Sequence, residues 1–409
     1  MGIFDRHRPL LDAYRAMRAS GEDPLTVTME RVLSPTEAMI NGRKTLLVGT
    51  NNYFGLTFDP ACIAAAIEAT RAEGTGTTGS RMLNGTYTEH AALEAELADF
   101  YGMRHCMVTT TGYQANLGII SALVGEGDYL VIDADSHASI YDACKQTQAT
   151  VIRFKHNDPA SLEARLRRLK DEPGNKLVVV EGIYSMLGDT APLKQLVEVT
   201  KRHGGYILVD EAHSLGALGK GGRGLVEEAG VLDQVDFVVG TFSKTLGAIG
   251  GFCVSNHEGF EVLRIATRAY MFTASLPPSI VASVRAALKI VRRDGAKLRK
   301  RLWDNVATLY DGLAAAGFRL GPEHGPVVAV VMPDQDTTVE VWRALLETGI
   351  YVNVAVPPAT PGGLCLLRCS LSAAHSRDQI EHMVETLTGI GRRLGIVSLQ
   401  RKRAAAAAG

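Results

Sequence analysis

The chain holds only six cysteines in 409 residues and no C-x-x-C pair among them. Cys365 and Cys369 stand close together in a strand-like run, but that spacing suits a metal poorly. All six therefore read as reduced thiols, and no metal site is expected. Charge of one sign is also missing: 43 basic residues face 44 acidic ones, for a net charge of -1. Such a balance argues against a nucleic-acid footprint or a general acidic-membrane surface. No stretch reaches the roughly 18 apolar residues of a membrane span, and Met1 to Ser20 lacks an apolar signal core. Gly2 invites a myristoylation reading, but Arg6 stands where that motif wants Ser or Thr. No internal repeat is present. The expectation is a cytoplasmic protein.

What the chain does have is apolar material, 46% of its residues, enough for a large core and two domains. Residues 5–20 have helical spacing, and Pro24 and Pro35 bracket an extended arm. Leu46 to Tyr53 reads as a strand opening into a polar loop. Pro60 to Glu73 and Glu89 to Tyr101 read as helices, separated by a Gly/Thr loop around 74–81. Apolar runs then recur at 106–108, 129–132, 151–154, 177–180, 206–209 and 235–239, spaced by helical or turn-rich stretches. That alternation predicts an α/β domain with a largely parallel sheet covered on both faces. After Leu276-Pro277-Pro278 a long helical region runs to about Ala316. A smaller α+β set follows, with an apolar run at 327–332, a helix at 337–348, strands near 350–354 and 364–371, and a last helix from about 376. The expected division is an arm at 1–48, a large domain at 49–275, a small domain at 276–398 and a frayed tail at 399–409.

The stretch that organises the rest is Gly240 to Gly247. A lysine, Lys244, leaves a buried strand between hydroxyl residues, with Thr241 and Ser243 before it. Such an amine suits imine formation with a carbonyl cofactor beside a phosphate. Upstream, Thr109-Thr110-Thr111-Gly112-Tyr113 joins a strand to a helix whose free N–H groups can hold a phosphate. His137 follows the next strand, where a histidine can be a satisfied loop residue or a plate stacked on a planar ring. Ser185 stands past a further strand end. Asp210 ends a buried strand with His213 three residues on, placed to pair with a pyridine nitrogen and a phenolate. The rival for Asp210-Glu211-Ala212-His213 is an NTPase box, but that needs a G-x-x-x-x-G-K-[ST] loop, which this chain lacks. Residues at the carboxyl ends of such a sheet gather at one crevice. Together these are the parts that pyridoxal 5'-phosphate requires.

With those residues in view, the chain resembles the α-oxoamine synthase branch of fold-type I pyridoxal-phosphate enzymes over about 1–398. The resemblance rests on Gly79-Ser80-Arg81-Met82-Leu83-Asn84-Gly85-Thr86, Ala134 to Ser139, Asp210 to Ser214, Gly240 to Lys244 and Phe272 to Pro277. Pro357-Pro358-Ala359-Thr360-Pro361, followed by Leu367-Arg368-Cys369-Ser370, is similar to the members that use L-serine. The resemblance implies a fold-type I (aspartate aminotransferase-like) architecture and condensation of L-serine with a long-chain acyl thioester, delivered by coenzyme A or an acyl carrier protein. It implies that Lys244 binds the cofactor covalently and later moves a proton, and that Asp210 pairs with the ring nitrogen. His213 and Ser185 would contact the ring's O3' region, and His137 would stack on the ring and touch the substrate. Gly112, Tyr113, Thr241 and Ser243 would hold the phosphate. Thr273 would reach it from the partner of a homodimer. Arg368 would bind the substrate carboxylate, and Asn52 would lie near the entrance. Some serine-using members carry an arginine just before the proline loop, where this chain has Val356, which implies weaker serine binding or an altered response to the acyl donor. The loop 356–363 is expected to close when the donor binds. Members that use alanine or glycine, an aminotransferase, and a non-catalytic subunit of a lipid-synthesis complex are the alternatives.

Overall fold

The computed structural model describes residues 2–19, 23–24, 26–357 and 359–397. The expected tail beyond residue 398 and Pro358 of the proline loop lie outside these described residues. The six apolar runs all form strands of one seven-stranded sheet. They are β4 (His105–Thr109), β5 (Tyr129–Asp133), β6 (Thr150–Phe154), β7 (Lys176–Glu181), β8 (Tyr206–Asp210) and β9 (Phe237–Thr241). Before them come β1 (Arg31–Ser34), β2 (Glu37–Ile40) and β3 (Arg43–Leu47), an antiparallel set in the region where the sequence predicts an extended arm.

A strand that the sequence reading did not anticipate completes the large sheet. Gly251–Ser255 forms β10, inserted antiparallel between β4 and β9, so that the order is β4-β10-β9-β8-β7-β5-β6. Gly-Phe-Cys-Val-Ser is too short and too glycine-led to stand out from the small-residue segment before it, and only its neighbours make it a strand. Because β10 opposes both β4 and β9, those two run in the same sense, and six of the seven strands deliver their carboxyl ends to one edge. The buried residues of β7 and β8 form near-continuous apolar runs because helices cover both faces.

Helices start where the sequence offers caps. Thr111 caps the helix Gly112–Leu123, its hydroxyl accepting the Gln114 N–H at 3.0 Å, and His137 caps Ala138–Gln146. The 39-residue helix Pro278–Ala316 lies along Pro60–Glu73 and Thr88–Tyr101 at one end and Arg377–Arg393 at the other. A four-stranded antiparallel sheet follows, from β11 (Arg319–Leu320), β12 (Val327–Met332), β14 (Asn353–Ala355) and β15 (Cys365–Ser370). The strands expected near 350–354 divide: β13 (Ile350–Tyr351) pairs in parallel with β3, and β14 pairs with β15. The chain's early and late segments are thereby held together, and Ser370 N–H donates to the Val48 carbonyl at 2.7 Å. No helix among the described residues is long and apolar enough to cross a membrane. All six cysteines are free thiols.

Candidate active site

At the common carboxyl edge of the sheet lies a cavity of about 360 Å³. Gly112, Tyr113, His137, Asp210, His213, Thr241, Ser243 and Lys244 line it, eight of the residues singled out in the sequence. Each arrives from a strand end or the turn after it, which is why residues far apart in the chain meet. Ser185, Asn52, Arg368 and Thr273 are not on its wall.

The amine of Lys244 is surrounded by protein except where it opens on the cavity, and burial lowers its pKa to about 8. Asp210 pulls the other way, and the charge of Arg368 adds to the lowering. Asp210 and Lys244 line the same cavity yet form no ion pair, so a space separates them. The Asp210 carboxylate is fixed instead by uncharged donors. Asn116 Nδ2 donates to Oδ2 at 2.6 Å and the Ala212 N–H to Oδ1 at 2.8 Å. His213 is buried, and desolvation first, then the charges of Lys244 and Arg368, hold its pKa well below the usual range. Its Nδ1 lies 2.6 Å from the hydroxyl of Tyr53, whose own pKa burial raises to about 12. A protonated tyrosine beside a neutral imidazole donates to Nδ1 and leaves the Nε2–H free for an oxygen ligand.

His137 is held at its backbone by the Glu181 carboxylate, which accepts its N–H, and at its ring by Ser139, whose hydroxyl is 2.7 Å from Nδ1. Burial lowers the pKa of His137 and raises that of Glu181 well above the carboxylate range. At the other end, the backbone of Gly112 touches Thr241 so closely that a Cβ on the glycine would lie 2.7 Å from the threonine Cβ. Thr241 Oγ1 is 2.8 Å from the Ser243 hydroxyl and donates to the Gly250 carbonyl at 2.9 Å. Exposed hydroxyl, close backbone and free helix N–H groups make this end an anion cradle. The residues therefore fit a phosphorylated pyridine aldehyde: a cradle at one end, an unpaired carboxylate, and an amine of lowered pKa.

Arg368 stands on β15 and is buried, with Nε donating to the Ser185 carbonyl at 2.6 Å and Nη1 to Asn51 Oδ1 at 3.1 Å and the Ser370 hydroxyl at 2.9 Å. Among the described residues no carboxylate pairs with it. Ser185 thus meets Arg368 through its carbonyl rather than the cavity through its hydroxyl. Asn52 is buried, donating to the Thr57 hydroxyl at 2.8 Å. Thr273 accepts from Gln114 Nε2 at 3.4 Å. Val356 is partly buried against the main core, as an apolar side chain in this place must be.

Thr111, Asn116, Ser139 and Glu181 on the cavity wall, and Tyr53 behind it, fall within the stretches the sequence points to but carry no expected role of their own. Asn116 carried a signal: it falls four residues after Gly112 and so faces the same way on the helix. Glu181 ends a buried apolar run just as Asp210 does.

Residues 43–387 match the family model of class I and II aminotransferases. A serine palmitoyltransferase of Caulobacter vibrioides is 56% identical over 405 residues, covering 99% of this chain and 100% of the relative. That of Sphingomonas paucimobilis is 54% identical over 398 residues, covering 97% and 93%. The chain belongs to the class I and II aminotransferase family, in its α-oxoamine synthase branch. A solved structure of the Sphingomonas paucimobilis enzyme, a lysine-to-alanine variant with a bound pyridoxal phosphate–myriocin adduct, superposes with a TM-score of 0.95 at 50% identity, covering 97% of this chain and 100% of that one. This protein has the fold-type I architecture.

Proposed function

We propose that this protein is a serine palmitoyltransferase: it condenses L-serine with palmitoyl-coenzyme A to give 3-ketodihydrosphingosine, coenzyme A and carbon dioxide, with pyridoxal phosphate as cofactor. The single observation that carries the reading is the set of Lys244, Asp210 and the Gly112/Thr241 cradle around one cavity, in a chain 56% identical to a serine palmitoyltransferase along its whole length. When bound, the cofactor supplies a carbonyl that captures the amino acid and a ring that takes up electrons from its Cα.

This chain's own residues do the rest. Lys244, neutral for a useful fraction of the time near pH 8, supplies the amine that holds the cofactor and then the base that removes the serine Cα proton. Asp210, held by Asn116 and the Ala212 N–H, keeps a proton on the ring nitrogen. His213 donates to the ring oxygen, with Tyr53 fixing its tautomer. His137 covers the ring face and orients the substrate. Gly112, Tyr113, Thr241 and Ser243 receive the phosphate. Arg368 binds the serine carboxylate; a buried guanidinium without a carboxylate partner is well suited to that task. Asn52 flanks the entrance, with Ser185 steadying Arg368 from behind.

The protein acts as a homodimer in the cytoplasm, with Thr273 of one protomer approaching the phosphate of the other. Support comes from apolar side chains left in solvent around that segment, Phe272 at 71% exposure and Leu83 at 83%, and from six free thiols. The test is a visible-absorption titration of the cofactor-loaded protein with L-serine, L-alanine and glycine, then palmitoyl-coenzyme A. A band that answers selectively to serine, followed by a long-chain ketone, is expected. A response to alanine or glycine instead would overturn the substrate and keep the family.

A further inference from the structure

Behind the cavity wall, outside the machinery described so far, lies a charged cluster centred on His156. This residue follows β6, and its ring bridges two carboxylates from different segments, one at the end of β5 and one in the loop after β7. Nδ1 is 2.8 Å from Asp133 Oδ1 and Nε2 is 2.8 Å from Asp189 Oδ2. The ring also stands edge-on to Tyr184, with centroids 4.5 Å apart at 89°. Asn157 repeats the bridge one residue later, its backbone N–H donating to Asp133 Oδ2 and its Nδ2 to Asp189 Oδ2, both at 2.9 Å.

Each carboxylate governs a different part of the site. Asp133 ends β5 and shapes the turn that delivers His137, accepting the Asp135 N–H on Oδ1 at 2.8 Å and the Ser136 N–H on its carbonyl at 3.3 Å. Asp189 closes the loop after β7, its carbonyl accepting the Tyr184 N–H at 2.9 Å. The residue after Tyr184, Ser185, gives its carbonyl to Arg368. Two carboxylates brought this close repel unless something cationic lies between them. A protonated imidazole offers two N–H donors on opposite ring edges, a span that neither a lysine nor a neutral histidine supplies. Burial opposes charge on His156, but its bonds to Asp133 and Asp189 outweigh it and bring the pKa to about 10.

We infer that His156 is a positioning residue for the serine reaction, clamping the His137 turn to the Ser185 loop and so fixing the distance between the ring plate and the Arg368 guanidinium. The inference rests on the serine reading above. Without the imidazole only the Asn157 bridge is left and no cation separates the two carboxylates, so the two segments shift apart while every group that touches cofactor or substrate stays in the chain. A displacement near 1 Å is enough to cost on the order of 10²-fold in a positioned reaction.

The test compares the cofactor-loaded wild type with His156→Gln, which cannot span both carboxylates. Three quantities are read: the circular dichroism of the bound cofactor in the visible, the Kd of L-serine by absorption titration, and kcat with palmitoyl-coenzyme A. The expected result is a weakened cofactor dichroism, a serine Kd raised about 10-fold and a kcat lowered about 10-fold, a part of the full positioning effect. A variant that only melts at lower temperature, with wild-type dichroism and serine Kd, overturns the inference. Should His156→Gln fail to fold, Asp189→Ala keeps the Asp133 bond and removes one arm, and its dichroism and serine Kd must shift in the same direction or the inference falls. A wild type that ignores serine sinks the substrate reading alone, because the dichroism still reports the clamp.

Discussion

Neighbouring residues of like chemistry have opposite tasks here, and burial geometry decides which. Asp210 faces the cavity, whereas Glu211 beside it turns away to accept the N–H groups of Leu225 and Val226 at 2.9 and 2.7 Å, so that it ties down a short helix. Burial raises the pKa of Glu211 to about 7, with the bonds from Ser214, Val226 and Leu225 restraining the rise. At Lys244 the displacement has a functional consequence. Burial depresses its pKa from 10.5 to about 8, so the amine is protonated and unreactive below that value and free above it. In cofactor-free protein, the rate of reductive trapping of an aldehyde on Lys244 should therefore rise with pH and level off above about 8. A rate still climbing toward pH 10.5, the value of an ordinary lysine, would falsify the assignment.

At the scale of elements, the site depends on strand ends meeting helix starts with no room to spare. Gly112 opens its helix against Thr241 at the end of β9, and Gly251 at the start of β10 packs on the same turn, where a Cβ would fall 2.5 Å from the Thr111 carbonyl. Gly112→Ala forces these apart. Overpacking of this kind costs about 1–3 kcal/mol. The measurement is paired: the melting temperature should drop, and the affinity for pyridoxal phosphate should drop further than for a control glycine in open space such as Gly125. Elements also show where reading the sequence stopped short. The helix Pro60–Glu73 stood out with its bounds intact, because Asp59 and Pro60 mark a start and Gly74 a stop. The strand β10 did not, because five residues carry no period of their own and its pairing with β4 and β9 is set from outside. β13 was absorbed into its neighbour for the same reason, since two residues become a strand only by meeting β3.

At the scale of the whole molecule, the segment 43–55 binds the ends of the chain into the site. β3 pairs with β13, Asn51 accepts from Arg368, and Tyr53 holds His213. Exposed apolar side chains at Leu83, Val262, Ile265 and Phe272 remain uncovered in a single chain, at 83%, 60%, 61% and 71% exposure. Sedimentation of the cofactor-loaded protein is expected to give the mass of two chains of 43.9 kDa. Phe272→Asp should shift that mass toward one chain, and a native monomer with full activity would sink the shared-site reading.

The sequence alone determined the class of fold and the chemistry on offer. Six apolar runs of strand length announced a parallel sheet, and Gly112, His137, Asp210, His213, Thr241, Ser243 and Lys244 could be picked out because each follows such a run. Those are local signals, written in periodicity and in the residue after a strand. Only the tertiary structure decided what lies beside them. Asn116 reaches Asp210 across 94 positions, Tyr53 reaches His213 across 160, and Arg368 reaches Asn51 across 317. Contacts at such separations leave no pattern in a single chain, because they arise from strand order and from how helices pack across the sheet. The charge state of Lys244 is decided there too, since burial, a property of the whole fold, sets it.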